Sequence, residues 1–73
     1  MSKLPEVSGS DLVRALQKVG FTVRRQQGSH IIMRRDSPFA QTVVPNHRQI
    51  DRGTLRAILR QTEVTADELI ELL

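Results

Sequence analysis

The sequence predicts an α+β fold in which a three-stranded antiparallel sheet carries helices on one face, in the order α-β-β-β-α-α. Apolar residues recur at three- and four-residue steps near both ends of the chain, which is typical of amphipathic helices. Between them lie short apolar runs separated by Gly- and Pro-containing breaks, which favour strands joined by turns. Packing the helices on one face of the sheet buries these apolar stripes and leaves the other face open.

Composition limits the classes of protein that remain. The 73 residues predict a single domain over residues 1–73, with a net stability of only about 3–5 kcal/mol. The absence of cysteine excludes a disulfide framework and a cysteine zinc site. Two histidines and scattered carboxylates do not make a metal site, so no metal or other cofactor is expected. No apolar run approaches the length needed to span a bilayer, and residues 1–7 lack the apolar region of a signal peptide, so the expected compartment is the cytoplasm.

The first helix is predicted to follow an extended lead-in over residues 3–7. Either Ser8 or Ser10 caps its N-terminus, and Ser8 with Asp11 resembles a capping box. Gly20 is predicted to end the helix. The expected buried stripe consists of Leu12, Val13, Leu16 and Val19.

A β-hairpin is predicted to follow, with strands from Phe21 to Gln26 and from His30 to Arg35. Gly28 marks the turn, because glycine adopts positive φ without steric cost. Alternation along the first strand places Phe21 and Val23 on one face.

The register of the second strand decides which side chains reach the open face. If Ile31 and Met33 face the core, then His30, Ile32 and Arg34 share the open face, and a one-residue slip would reverse this. We prefer the first register because it leaves the polar residues at both ends of the strand outside.

The third strand is predicted from Gln41 to Val44, stopped by Pro45. The residues Asp36-Ser37-Pro38 form the preceding turn. Phe39 is expected to fold back over the edge of the core.

Two further helices complete the chain. The second begins at Asp51 or Arg52, buries Leu55, Ile58 and Leu59, and carries Arg52, Arg56 and Arg60 on another face. The third begins with a Thr65–Glu68 capping box. Its apolar residues are expected to belong to the core, and they are Leu69, Ile70, Leu72 and Leu73.

Positive charge is concentrated in the middle of the chain. The net charge is +1 over residues 1–20, +6 over residues 21–60 and −4 over residues 61–73. Every cation of the middle block is arginine, which suits bidentate binding of phosphate. An acidic partner such as nucleic acid and a merely solvated basic surface both remain open at this point.

His30 is the residue most suited to chemistry. Imidazole ordinarily titrates at about pH 6.5, and the arginine pairs at 24–25 and 34–35 on either side of His30 are able to hold a phosphate. This combination indicates RNA cleavage or RNA binding. The competing interpretation is a strand-end histidine that only hydrogen-bonds a neighbouring carbonyl.

Motifs spread along almost the whole chain resemble those of the HicA family of bacterial toxins. They are Ser8-Gly9, Val19-Gly20-Phe21, Gly28-Ser29-His30, Val44-Pro45 with His47, Arg52-Gly53-Thr54-Leu55-Arg56, and Ile58-Leu59. Gly-Ser-His alone would be a weak motif, but the set in this order is specific.

The resemblance implies a fold like the double-stranded-RNA-binding domain, ribosome-independent cleavage of messenger RNA, and a HicB-type antitoxin that covers the active surface. It also implies that His30 is catalytic. Our interpretation is a metal-independent endoribonuclease of a type II toxin–antitoxin pair, with His30 as general acid or base. The expected RNA-binding residues are Gly28, Ser29, Arg24, Arg34 and Arg56.

Two other functions remain open. One is a non-catalytic RNA-binding module that uses the same basic surface. The other is a protein-interaction subunit that docks an acidic partner. His47, in the polar loop after Pro45, is interpreted as structural or partner-facing rather than catalytic.

Overall fold

A computed structural model describes residues 3–73. The single domain predicted over residues 1–73 therefore includes two residues, 1 and 2, that lie outside the described residues. Its elements are α1 (Gly9–Gln17), β1 (Thr22–Gln27), β2 (His30–Asp36), β3 (Phe39–Pro45), α2 (Arg52–Thr62) and α3 (Ala66–Leu72). The strands form one antiparallel sheet in the order β1-β2-β3. The α+β class and the element order are confirmed, whereas the likeness to the double-stranded-RNA-binding domain stays a prediction.

The helices begin where side chains satisfy their first backbone N–H groups. The Ser8 hydroxyl accepts a 3.0 Å hydrogen bond from the Asp11 N–H, and the Asp11 carboxylate accepts from the Ser8 N–H. Thr65 and Glu68 form the same reciprocal pair at α3. Asp51 caps α2. Both predicted capping boxes are confirmed, and Ser8 rather than Ser10 is the cap of α1.

The register of β2 is the preferred one. Ile31 and Met33 are buried, whereas His30 is exposed and Ile32 and Arg34 are partly exposed. Directly opposite residues of antiparallel strands share a face, so the buried face continues into β3 through the partners of Ile31 and Met33. His30, Ile32 and Arg34 therefore lie on the open face.

Buried side chains from the helices and from one face of the sheet form the hydrophobic core. Its members are Val7, Leu12, Ala15, Leu16, Phe21, Ile31, Met33, Ala40, Val44, Ile50, Leu55, Ile58, Leu59, Val64 and Leu69. Val13 and Val19 from the predicted α1 stripe are only partly buried against it. Gly20 has the expected positive φ of +96°, but α1 ends at Gln17 with Lys18 as its C-cap, so Gly20 lies in the turn after the helix. No helix within residues 3–73 is long and apolar enough to cross a membrane.

The expectation that Phe39 covers the core is wrong. β3 begins at Phe39, and the side chain is 67% exposed. The ladder between β2 and β3 continues through the pair Asp36–Phe39, which places Phe39 on the open face and leaves only Ser37 and Pro38 in the turn. Alternation then buries Ala40 instead.

Strand β1 runs from Thr22 to Gln27, one residue later at both ends than predicted. Phe21 precedes the strand, is buried, and donates its N–H to the Leu16 carbonyl at 3.1 Å. Val23 lies opposite the buried Met33 yet is 44% exposed, because β1 is an edge strand. A bulge between Val23 and Arg25 makes Arg24 an extra residue.

The assignment of all four apolar α3 residues to the core is also wrong. Leu69 is fully buried and Leu72 partly buried, but Ile70 and Leu73 are exposed. Neighbouring residues of an α-helix point about 100° apart, so this seven-residue helix buries only the stripe that contains Leu69.

Candidate functional site

His30 is the first residue of β2 and is held there by a two-residue turn. Gly28 and Ser29 connect the strands, and Gly28 has a φ of +56°. The Gln26 side-chain amide donates to the Gly28 carbonyl at 3.0 Å. The turn sets His30 directly opposite Gln27, with its exposed side chain on the open face.

The end of β3 lies beside this turn. Pro45 is the β3 partner of His30 in the ladder. One residue further, the Asn46 N–H donates a 2.6 Å hydrogen bond to the Ser29 carbonyl. The loop after β3 is therefore tied by its backbone to the residue that precedes His30.

The N-terminus of α1 holds the same loop from the other side. The Gly9 N–H donates a 2.8 Å hydrogen bond to the His47 carbonyl. A Cβ at position 9 would overlap the Pro45 carbonyl oxygen and lie 2.9 Å from the Asn46 Cα. This approach requires glycine, and it fixes the path of the backbone through His47.

Both histidines line one groove of about 300 Å³. Its lining residues are His30, Val43, Pro45, His47, Asp51 and Thr54. A larger groove of about 550 Å³ runs between β3 and α2, but Asp51 is the only ionisable residue that lines it. Of these two grooves beside β3, the smaller one brings together two imidazoles and a carboxylate. Sequence reasoning singled out His30 but did not place His47 beside it.

Asp51 contributes a carboxylate to the groove while capping α2. Its Oδ1 accepts a 2.6 Å hydrogen bond from the Thr54 hydroxyl, and its Oδ2 accepts from the Thr54 N–H at 3.1 Å. The Thr54 hydroxyl first, and then the Thr54 N–H, hold the pKa of Asp51 below its ordinary value. Asp51 is therefore a negative charge at neutral pH.

Arg25 is the β1 arginine that the register aligns with the open face. It lies opposite Ile32, which shares that face with His30. Two residues along a strand span about 7 Å, so Arg25 is a near diagonal neighbour of His30. Arg24, the predicted residue, is the extra residue of the bulge. The two-residue turn could have predicted the position of Arg25, because it pairs Gln27 with His30 and therefore Arg25 with Ile32.

Arg34 shares the open face but lies further from His30. Four residues along a strand span about 13 Å. Its Nε is 2.9 Å from Asp36 Oδ1, and a third of its side chain is exposed. The Nε–H nevertheless does not point at that oxygen, since it makes no hydrogen bond within the described chain. Arg34 is therefore a partly neutralised cation.

Arg35 and Arg56 are separate from the groove. The Arg35 guanidinium lies 4.7 Å from the centre of the Phe21 ring, and it donates to the carbonyls of Pro38 and Val19. These contacts give Arg35 a structural role. Arg56 is exposed on α2 and does not line the groove with His30.

Metal ligands are not grouped in this structure. Within residues 3–73, no three or more His, Cys, Asp or Glu side chains are placed to hold a metal ion. Independence from metal itself stays a prediction.

The fold and the groove define a small α+β protein that presents two histidines and several arginines around one open sheet face. Residues 9–64 match the family described as the HicA toxin of bacterial toxin–antitoxin, and the chain belongs to that family. The match extends from the first residue of α1 to just beyond α2 and includes the whole groove. No curated protein matches the chain.

Proposed function

We propose that this toxin is a metal-independent endoribonuclease that cleaves messenger RNA and belongs to a type II toxin–antitoxin pair. Residues 1–73 act as a single HicA-like domain in the cytoplasm. The observation that carries the proposal is the exposure of His30 on the open sheet face, in a groove and beside Arg25. Membership of the HicA toxin family supports it.

His30 acts as general base or general acid on a phosphodiester. It takes the proton of the ribose 2′-hydroxyl or gives a proton to the leaving oxygen, a contribution of about 10²- to 10⁴-fold. The position of His30 at a strand start keeps its backbone rigid, while the exposed side chain is open to an RNA strand.

Arginines and the turn hold the phosphate. Arg25, Arg34 and the bulge residue Arg24 supply positive charge along the strands that flank His30. Such groups stabilise the negative charge on the non-bridging oxygens of the phosphorane. Ser29 and Gly28 contribute backbone N–H groups at the turn, and Arg56 contacts a more distant phosphate.

A HicB-type antitoxin covers the open face and inhibits the toxin by excluding RNA. The exposed arginines favour an acidic surface on this partner. Phe39 and Val43, which are exposed on the same face, offer apolar contact area.

Cleavage of a long single-stranded RNA in the presence of chelator tests the proposal. We expect the wild type to cut, and His30→Ala and His30→Gln to lose at least about 10²-fold in rate while keeping their circular dichroism. Gln17→Ala, on the exposed side of α1, is the control and cuts like the wild type.

Three results would contradict the proposal in different ways. Equal cutting by wild type and His30→Ala places the catalytic residue elsewhere. Salt-dependent RNA binding without cleavage by any variant favours a non-catalytic RNA-binding module. No RNA affinity at low salt favours a protein-interaction subunit.

A further inference from the structure

We propose that His47 is the second proton-transfer residue of the reaction and works opposite His30 in the shared groove. This proposal rests on the endoribonuclease function proposed above. It changes the role of His47 from a structural or partner-facing residue to one that contacts the substrate.

Two backbone hydrogen bonds hold the loop that carries His47. Asn46 donates to the Ser29 carbonyl at 2.6 Å, and the His47 carbonyl accepts from Gly9 at 2.8 Å. The first of these hydrogen bonds is made by the residue before His47, and the second by the backbone of His47 itself. Proton transfer needs such fixed geometry, because small displacements of a catalytic group reduce the rate.

Cleavage of RNA by its own 2′-hydroxyl requires two proton transfers. A base removes the 2′-hydroxyl proton as the bond from O2′ to phosphorus forms. An acid gives a proton to O5′ as the bond from phosphorus to O5′ breaks. The products are a 2′,3′-cyclic phosphate and a 5′-hydroxyl, so atoms and protons balance with one base and one acid.

The groove contains only two side chains suited to these roles. Imidazole is the side chain whose ordinary titration lies between about pH 5 and 8, and the groove holds two of them, His30 and His47. Val43, Pro45 and Thr54 carry no group that titrates near neutral pH. Asp51 is committed to Thr54 through both carboxylate oxygens.

Other charges face the pair from the surrounding elements. Asp51 at the start of α2 is the negative group, and Arg25 on β1 is the nearest positive group placed by the register. Arg48 follows His47 in the loop and is exposed. Arg48 lines a separate groove with Glu6 and Asp11, so the charged groups beside the histidine pair are Asp51 and Arg25.

A sulfur substitution at the leaving position separates the two roles. An RNA oligonucleotide is prepared with oxygen or with sulfur at the 5′-bridging atom of a linkage that the wild type cuts. A thiolate leaves without protonation, so loss of the general acid does not slow the sulfur substrate. The proteins compared are the wild type, His30→Gln, His47→Gln and the loop control Gln49→Ala.

Both histidine variants are expected to cleave the oxygen substrate about 10²- to 10⁴-fold more slowly than the wild type. The sulfur substrate restores the rate of one variant and leaves the other slow, which assigns acid and base. RNA affinity and circular dichroism stay unchanged, because glutamine at position 47 keeps the carbonyl that accepts from Gly9. Gln49→Ala behaves like the wild type on both substrates.

If His47→Gln cleaves the oxygen substrate at the wild-type rate, the proposed role of His47 is wrong and the endoribonuclease proposal is unaffected. A loss of RNA affinity that equals its loss of cleavage also overturns it, since His47 is then a binding contact. The role of His47 is also overturned if the sulfur substrate restores the cleavage rate of both variants or of neither. A wild type that cuts no linkage of a long RNA overturns the endoribonuclease proposal itself.

Discussion

The N–H of Gly9 donates a 2.8 Å hydrogen bond to the carbonyl of His47, which joins the first residue of α1 to the loop after β3. This contact links residues far apart in the chain and sets the position of one wall of the groove. The helix N-terminus thereby supports the groove without lining it.

Gly9→Ala is expected to destabilise the protein. The added methyl group overlaps the Pro45 carbonyl oxygen and crowds the Asn46 Cα, and backbone atoms yield less easily than side chains. The expected loss is about 1–3 kcal/mol in the free energy of unfolding, measured by urea titration. Gly53→Ala is the control, because its Cβ meets only the Asp51 carboxylate at 3.4 Å. Wild-type stability of Gly9→Ala would show that the loop moves freely away from α1.

Gly28→Ala is expected to strain the turn that positions His30. The φ of +56° at this position costs an L-residue about 1–2 kcal/mol. A Cβ at Gly28 meets nothing within 4 Å, so the loss arises from the backbone conformation alone. Gly28→Asn should lose less, because asparagine tolerates the left-handed region. Thermal unfolding measures both, and equal stability of the two variants would contradict this account.

The stability of the protein is expected to fall in acid through Asp51 and Glu68. Hydrogen bonds from Thr54 lower the pKa of Asp51, and the Thr65 N–H, followed by the Thr65 hydroxyl, lowers the pKa of Glu68. A lowered folded-state pKa stabilises the protein above the unfolded-state values of about 4. This contribution is lost as the pH falls through the folded-state values.

Thr54→Val tests the part of this acid dependence that belongs to Asp51. Removing the hydroxyl moves the folded-state pKa of Asp51 back towards its unfolded value. The variant should be less stable than the wild type at pH 6 and should lose less stability between pH 6 and pH 3. Urea midpoints at the two pH values measure this, and parallel declines would contradict it.

Arg25→Ala is expected to weaken RNA binding. Each phosphate contact contributes about 0.7 to the magnitude of the slope of log affinity against log salt for single strands. The magnitude of this slope should therefore be about 0.7 smaller for Arg25→Ala than for the wild type. Arg14→Ala is the matched control, since it removes the same charge from α1, where Arg14 pairs with Asp11 at 2.7 Å. Equal losses for the two variants would mean that only net charge matters.

Arg35→Ala is expected to affect stability instead of binding. Its guanidinium stacks on the Phe21 ring and donates to two carbonyls that join β2 to neighbouring turns. Loss of these contacts should cost about 1–2 kcal/mol by urea unfolding. RNA affinity should fall less than in Arg25→Ala. A stable Arg35→Ala protein with strongly reduced RNA affinity would reverse this assignment.

Local sequence patterns determined much of the site. The capping boxes at Ser8 and Thr65, the turn at Gly28 and the face assignment of His30 all follow from interactions among residues a few positions apart. Such interactions are readable from spacing and residue type, because the backbone geometry of a helix start or a two-residue turn repeats between proteins.

Only the tertiary structure decided what surrounds His30. The bulge set Val23 opposite Met33 and left Arg24 as an extra residue, the ladder left Phe39 exposed, and the contact with Gly9 set His47 into the same groove as His30. Each of these outcomes depends on how segments distant in the chain pair and pack. The energy that selects such pairings comes from the whole core, so no local residue pattern encodes it.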